Sequence, residues 1–162
     1  MRPRFLELLA ALERHGVEHV IVGGVAAIVE GAPLATLDLD FVYRVDDANL
    51  RRLEAALAEI AAVYRDPAGR RITPTVERLR EGRLHQLETR IGLLDAMQSI
   101  GAGWTHADLL PRSHIRRVGD LEVRVLDLAA VIESKAAAGR DKDLAMLPVL
   151  KRTLALKRAN GS

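Results

Sequence analysis

The chain has 162 residues with 24 Lys+Arg and 22 Asp+Glu; the net charge of +2 marks neither an acidic tail nor a globally basic nucleic-acid binder. It has no cysteine, which excludes a disulfide scaffold, a cysteine-ligated zinc finger and thiol catalysis, and fits a reducing compartment, the cytoplasm. Aromatic residues are 3%, too few for a base-stacking surface, whereas 49% hydrophobic residues suffice for a core without staples.

Phe5, Leu8, Leu9 and Leu12 recur at helical spacing and Gly16 follows, so a first helix with a glycine stop is expected. Val17 to Val22 is short and β-branched and reads as a strand. Gly23 and Gly24 end it, and Val25 to Glu30 reads as a helix broken by Gly31 and Pro33. Leu37 to Tyr43 is the next strand. Asp46 and Asp47 cap a helix whose apolar face is Leu50, Leu53, Leu57 and Ile60. Residues 64–83 read as a loop rich in arginine, with a short helix near Thr75 to Arg80. His85 to Thr89 and Arg90 to Met97 read as two strands or one bent strand, and Trp104 to Leu110 as a short helix.

Arg112 to Val118 and Leu121 to Leu126 flank Gly119-Asp120, a hairpin turn signal. Asp127 is expected to cap a helix running to about Ala138. After Gly139 a last helix starts near Asp141, with a kink expected at Pro148. No run approaches the roughly 18–20 apolar residues of a membrane span, and the N-terminus lacks the form of a signal peptide. The expectation is an α/β (α+β) protein with a mixed sheet: one domain over 1–162, its core at about 17–126 and a helical part at about 127–158.

Asp38 and Asp40 carry the sharpest chemical signal. Strand residues at i and i+2 share a face, and two carboxylates there repel unless a cation or donors neutralise them. Oxygen ligands of this kind suit Mg²⁺ shared with a nucleotide phosphate. An Asp-x-Asp alone also fits the solvated face of an edge strand. The Gly23-Gly24 pair fits either an anion-facing helix start or a plain tight turn.

Taken together, Val20 to Ala26 (VIVGGVA) and Gly31 to Phe41 (GAPLATLDLDF) resemble the DNA polymerase β-like nucleotidyltransferase superfamily. The likeness is greatest to the small bacterial proteins grouped with AbiEii-type toxins and minimal nucleotidyltransferases. Gly92 to Asp95 (GLLD) resembles the later strand with the third carboxylate. Leu126 to Leu128 and Lys135 to Leu144 (KAAAGRDKDL) resemble the closing helices.

The resemblance implies a nucleotidyltransferase fold and a nucleoside triphosphate (NTP) substrate. Gly23 and Gly24 would cradle its triphosphate, with Thr36 among the nucleotide contacts. Asp38 and Asp40 would hold two Mg²⁺ ions. Asp95 would complete the catalytic and metal site and help deprotonate the acceptor. Lys135 and Arg140 would neutralise phosphate charge. The implied acceptor is RNA, such as a tRNA end, or protein, in a toxin–antitoxin or phage-defence role with a cognate partner and no membrane. Two positions depart from the pattern: Gly24 stands where serine is common, and Leu34 where arginine is common.

Lys135 also fits an amphipathic helix, and Arg140 to Asp143 a solvated charge cluster with Asp141 or Asp143 as N-cap. His85, His106 and His114 have no metal-ligand spacing and read as surface or half-buried residues. Trp104 reads as packing. Residues 1–60 carry 6 basic and 10 acidic side chains, residues 61–126 carry 11 and 8, and residues 127–162 carry 7 and 4. An acidic first segment thus faces basic later ones, which suits metal on one side and a phosphate-bearing acceptor on the other. The alternatives are a catalytically silent binding protein that keeps the fold, and a small-molecule transferase of the aminoglycoside type, which predicts an acidic acceptor pocket.

Overall fold

The computed structural model describes residues 2–161. Helix α1 (Pro3–Arg14) buries Phe5, Leu8, Leu9 and Leu12, the face its periodicity marked. Burying a leucine contributes roughly 1.5–3 kcal/mol, so such a stripe fixes a helix more firmly than its propensity does. β1 (His19–Val22) is buried at every position. It leads into α2 (Gly23–Val29), which takes both glycines into its first turn.

β2 (Asp38–Tyr43) follows, then α3 (Asp47–Glu59). Asp46 is the N-cap of α3, its carboxylate accepting from the Asn49 amide at 2.8 Å. Leu50, Leu53, Leu57 and Ile60 are buried as expected.

The arginine-rich stretch holds a two-residue strand, β3 (Val63–Tyr64), and a short helix, α4 (Val76–Arg80), capped by Thr75. β4 (Leu84–Glu88) and β5 (Leu93–Met97) are separate antiparallel strands. Thr89 makes the turn between them: its hydroxyl oxygen accepts from the amides of Ile91 and Gly92 at 3.0 and 2.9 Å. A small ribbon, β6 (Ser99–Ile100) with β7 (Trp104–Thr105), precedes α5 (His106–Leu109). The Arg112 guanidinium lies 5.0 Å from the Trp104 ring centre, so Trp104 packs as expected. β8 (Ser113–Val118) and β9 (Leu121–Leu126) form the hairpin marked by Gly119-Asp120. α6 (Leu128–Ala138) ends on Gly139 in the left-handed conformation, and α7 (Asp141–Ala159) continues through Pro148.

Seven of the described strands form one sheet in the order β3-β4-β5-β2-β1-β9-β8. The β1–β9 and β2–β5 pairs are parallel and the rest antiparallel, so the sheet is mixed as expected. α1 packs on α3 and α3 on α4, whereas α2 packs on α6 and α6 on α7.

Several expectations about polar residues need correction. Asp127 precedes α6, yet its side chain makes no cap; it meets His114 Nδ1 instead. Arg140, rather than Asp141 or Asp143, occupies the N-cap position of α7, and Asp143 is buried at 2% exposure instead of solvated. His85 and His106 are buried. His85 accepts from the Tyr64 hydroxyl at 2.7 Å and donates to the Gly82 carbonyl at 3.1 Å. His114 joins a cluster around Glu30, the residue that ends α2.

Glu30 is 4% exposed and takes His114 Nε2 at 2.5 Å, Arg116 Nε at 3.1 Å and the Lys157 ammonium. Burial alone would raise its pKa. The bonds from Arg116, Lys157 and His114 outweigh that and hold it at about 2. This ion cluster ties the end of α2 to β8 and to the last turns of α7.

Candidate active site

The sheet brings Asp95, distant in the sequence, to the pair Asp38 and Asp40. Asp38 and Asp40 alternate onto one face of β2. β5 runs parallel beside it with Asp95 directly opposite Asp40. Paired residues on neighbouring strands point the same way, so all three side chains converge. One oxygen from each lies within 4.8 Å of the others, a set that could hold a metal ion. Among the described residues it is the only such group of three or more.

The crowding has an electrostatic cost. Burial first, then Asp95 and Asp38, push the pKa of Asp40 up to about 7. Burial also raises Asp95, against the opposing pull of Arg65. Asp40 Oδ1 is buried with no hydrogen-bond partner. A buried carboxylate oxygen without a donor is costly and marks a place where a cation would be welcome.

Gly23 is shaped to this carboxylate. Val22 pairs with Asp40 across the β1–β2 ladder, so the next residue begins α2 beside the Asp40 side chain. Gly23 has φ +62°, and a Cβ there would lie 2.5 Å from Asp40 Oδ2. Only glycine fits. Gly24 meets Thr36 instead: a Cβ at 24 would stand 3.0 Å from the Thr36 Cβ and 3.1 Å from its Oγ1. A serine at 24 would therefore crowd Thr36. Leu34, the second departure from the family pattern, is partly buried against the core.

A cleft of about 420 Å³ opens beside Asp40. Gly23, Arg83, Lys135, Arg140 and Asp143 contribute to its lining. Lys135 and Arg140 line this cleft with Asp40, but both also bond Asp143: Lys135 Nζ at 3.4 Å and Arg140 Nε at 2.6 Å. Burial would raise Asp143, but the Arg140 bond and the Lys135 charge keep its pKa below the ordinary value. Thr36 lies outside this cleft and lines a shallow depression with Asp38. Its hydroxyl donates to the Asp38 carbonyl at 3.4 Å.

Two cations escaped the sequence reading. Arg83 lines the cleft and donates to the Ser99 carbonyl at 3.4 Å. Arg65 touches the carboxylates themselves, with Nη2 2.8 Å from Asp95 Oδ1 and 3.5 Å from Asp38 Oδ2. It lies in the expected loop, and nothing local in the sequence distinguishes it from the other arginines there.

No protein-family model matches the chain, and no curated protein matches it at significant similarity. Among solved structures, a protein of Thermotoga maritima presumed to be a nucleotidyltransferase aligns over 91% of this chain and 92% of its own, with TM-score 0.59 and 16% identity. The antibiotic-resistance factor ANT(2'')-Ia aligns over 97% of this chain and 88% of its own, with TM-score 0.58 and 14% identity. The architecture expected from the sequence, a mixed sheet flanked by helices in the nucleotidyltransferase fold, is the one observed.

Proposed function

We propose that the chain is a divalent-metal-dependent nucleotidyltransferase that moves a nucleoside monophosphate from an NTP to a hydroxyl acceptor. One observation carries this reading: three carboxylates converge beside a cleft, and one of them keeps a buried oxygen with no donor. The donor set is all oxygen, which suits Mg²⁺. Asp38, Asp40 and Asp95 would hold the metal, which when bound polarises the α-phosphate and stabilises the entering and leaving oxygens.

The protein's own groups do the rest. Gly23 leaves room for the Asp40 carboxylate. Asp95, directly opposite Asp40, would accept the acceptor's hydroxyl proton. The new bond joins that oxygen to the α-phosphorus, and the bond to pyrophosphate breaks. Lys135, Arg140 and Arg83 face the cleft where phosphate charge would accumulate, and Gly23 lines it beside Asp40.

In this reading the acceptor is RNA or protein, and the setting is a toxin–antitoxin or phage-defence system with a cognate partner. Likeness to the antibiotic-resistance factor favours a second reading, with a small-molecule acceptor of the aminoglycoside type. The cleft argues against that. It carries three basic side chains, and its second carboxylate, Asp143, is already paired, so it does not offer the acidic pocket that a polycation needs. A catalytically silent protein would have no use for the unpaired Asp40 oxygen, which only destabilises the metal-free fold.

The test is incubation with each α-labelled NTP, Mg²⁺, total RNA and lysate protein. Label should transfer to a macromolecule in the wild type and not in Asp38→Ala or Asp40→Ala. Equal labelling by both variants would refute the assignment.

A further inference from the structure

We propose that Arg65 is the resident counter-cation of the carboxylate site: without metal it neutralises Asp38 and Asp95, and a divalent ion must compete with it for their oxygens. This rests on the metal site described above.

The geometry is specific. Arg65 follows β3, and its amide donates to the Gln86 carbonyl at 3.0 Å. Its Nε donates to the Leu87 carbonyl at 3.2 Å. These two bonds to β4 fix the arm, and Nη2 then spans two carboxylates from different strands, Asp95 at 2.8 Å and Asp38 at 3.5 Å. The side chain is 27% exposed, so this is not a mobile surface arginine. Among the described residues, no other cation hydrogen-bonds the three carboxylates: Lys135 and Arg140 bond Asp143 instead. Arg65 leaves Asp40 untouched, and the oxygen without a partner belongs to Asp40.

One nitrogen shared by two carboxylates does part of the work of a metal ion. It offsets one of three negative charges and holds two side chains from different strands together. Its positive charge also repels an arriving divalent ion at close range in a partly buried place, where screening is weak. Arg65 therefore stabilises the empty protein and weakens metal affinity at once, which keeps the site in order until metal and nucleotide phosphates arrive together.

The experiment uses the full chain stripped of metal, with Mn²⁺ and Mg²⁺ as the probes. Arg65→Met keeps the length of the arm and removes its charge. Its melting temperature without metal should fall below that of the wild type, while its affinity for Mn²⁺ by calorimetry should tighten roughly tenfold. Arg65→Lys keeps the charge and should stay near wild-type affinity. A merely structural arginine would not tighten metal binding when removed. Unchanged or weaker Mn²⁺ affinity in Arg65→Met, with metal binding intact in the wild type, would overturn the inference and leave the metal site standing. If the wild type binds neither ion, the metal site fails and the Arg65 inference with it.

A readout on the wild type needs no variant. The Arg65 Nε–H resonance should shift when Mg²⁺ is added, as Asp38 and Asp95 turn to the metal. An unmoved resonance at saturating Mg²⁺ would equally overturn the competition.

Discussion

Replacing Asp40 by Asn removes one charge from the crowded site and keeps its shape. The Asp40 pKa is pushed up to about 7 from an ordinary value near 3.8. A carboxyl with a raised pKa holds its proton in the folded protein over a range where the unfolded chain has lost it. Its contribution to stability is therefore fully present below about pH 4 and is lost as pH rises through 7. At about 1.4 kcal/mol per pKa unit, the loss reaches about 4 kcal/mol by pH 8 in metal-free protein.

Asp40→Asn lacks this dependence. Its stability relative to the wild type should rise by that amount between pH 4 and pH 8. At roughly 2–4 °C per kcal/mol for a chain of this size, the relative melting temperature gains about 8–16 °C. Only the difference between the two proteins isolates Asp40. Buried His19, with its pKa lowered to about 4 chiefly by burial, gives an opposite slope between pH 4 and 6.5 in both. The assay is thermal unfolding in EDTA at half-unit pH steps. A difference that stays flat with pH would refute the argument that crowding and burial make ionised Asp40 costly. Adding Mg²⁺ at pH 8 should stabilise the wild type and leave Asp40→Asn unmoved.

Gly23→Ala puts a Cβ 2.5 Å from Asp40 Oδ2 at a left-handed backbone position; urea denaturation should show a loss of about 1–3 kcal/mol, and calorimetry weaker Mn²⁺ binding. Glu30→Gln leaves Arg116, Lys157 and His114 around an uncharged amide. It should cost about 3 kcal/mol at pH 7, a deficit that shrinks as pH falls from 4.5 toward 2, where Glu30 itself becomes protonated. Tyr43→Phe removes the 2.6 Å bond from the Tyr43 hydroxyl to the Leu79 carbonyl. Gln98 still donates to that carbonyl at 3.0 Å, so chemical denaturation should show a loss near 1 kcal/mol rather than the larger cost of an orphaned acceptor.

Much of the site could be read from local pattern. The β-branched run before Gly23-Gly24 and the alternation around Asp38 and Asp40 are short-range signals, and β1, α2 and β2 form where they indicate. Asp95 was legible only through family likeness, because nothing in its spacing reveals that β5 lies parallel to β2 in register with Asp40. Arg65 was not legible at all. It follows a strand of two residues, too short to alternate, and reaches Asp95 only because the sheet order puts β3 next to β4 and β4 next to β5. The polar residues of the closing helices failed for a related reason. Asp127 and Asp143 have the local look of helix caps, but charged partners claim their carboxylates: His114 on β8 for one, and Lys135 on α6 with the neighbouring Arg140 for the other. Local hydrogen-bonding preference is worth about 1 kcal/mol, and a charged partner at close range outweighs it.

Calorimetric titration of the metal-free protein with ATP, GTP, CTP and UTP, each with and without Mg²⁺, tests the metal–nucleotide site most directly. At least one NTP should bind in the presence of Mg²⁺ and fail in EDTA, and Asp40→Asn should abolish that binding. Absence of binding by all four with Mg²⁺, or equal binding by Asp40→Asn, would contradict it.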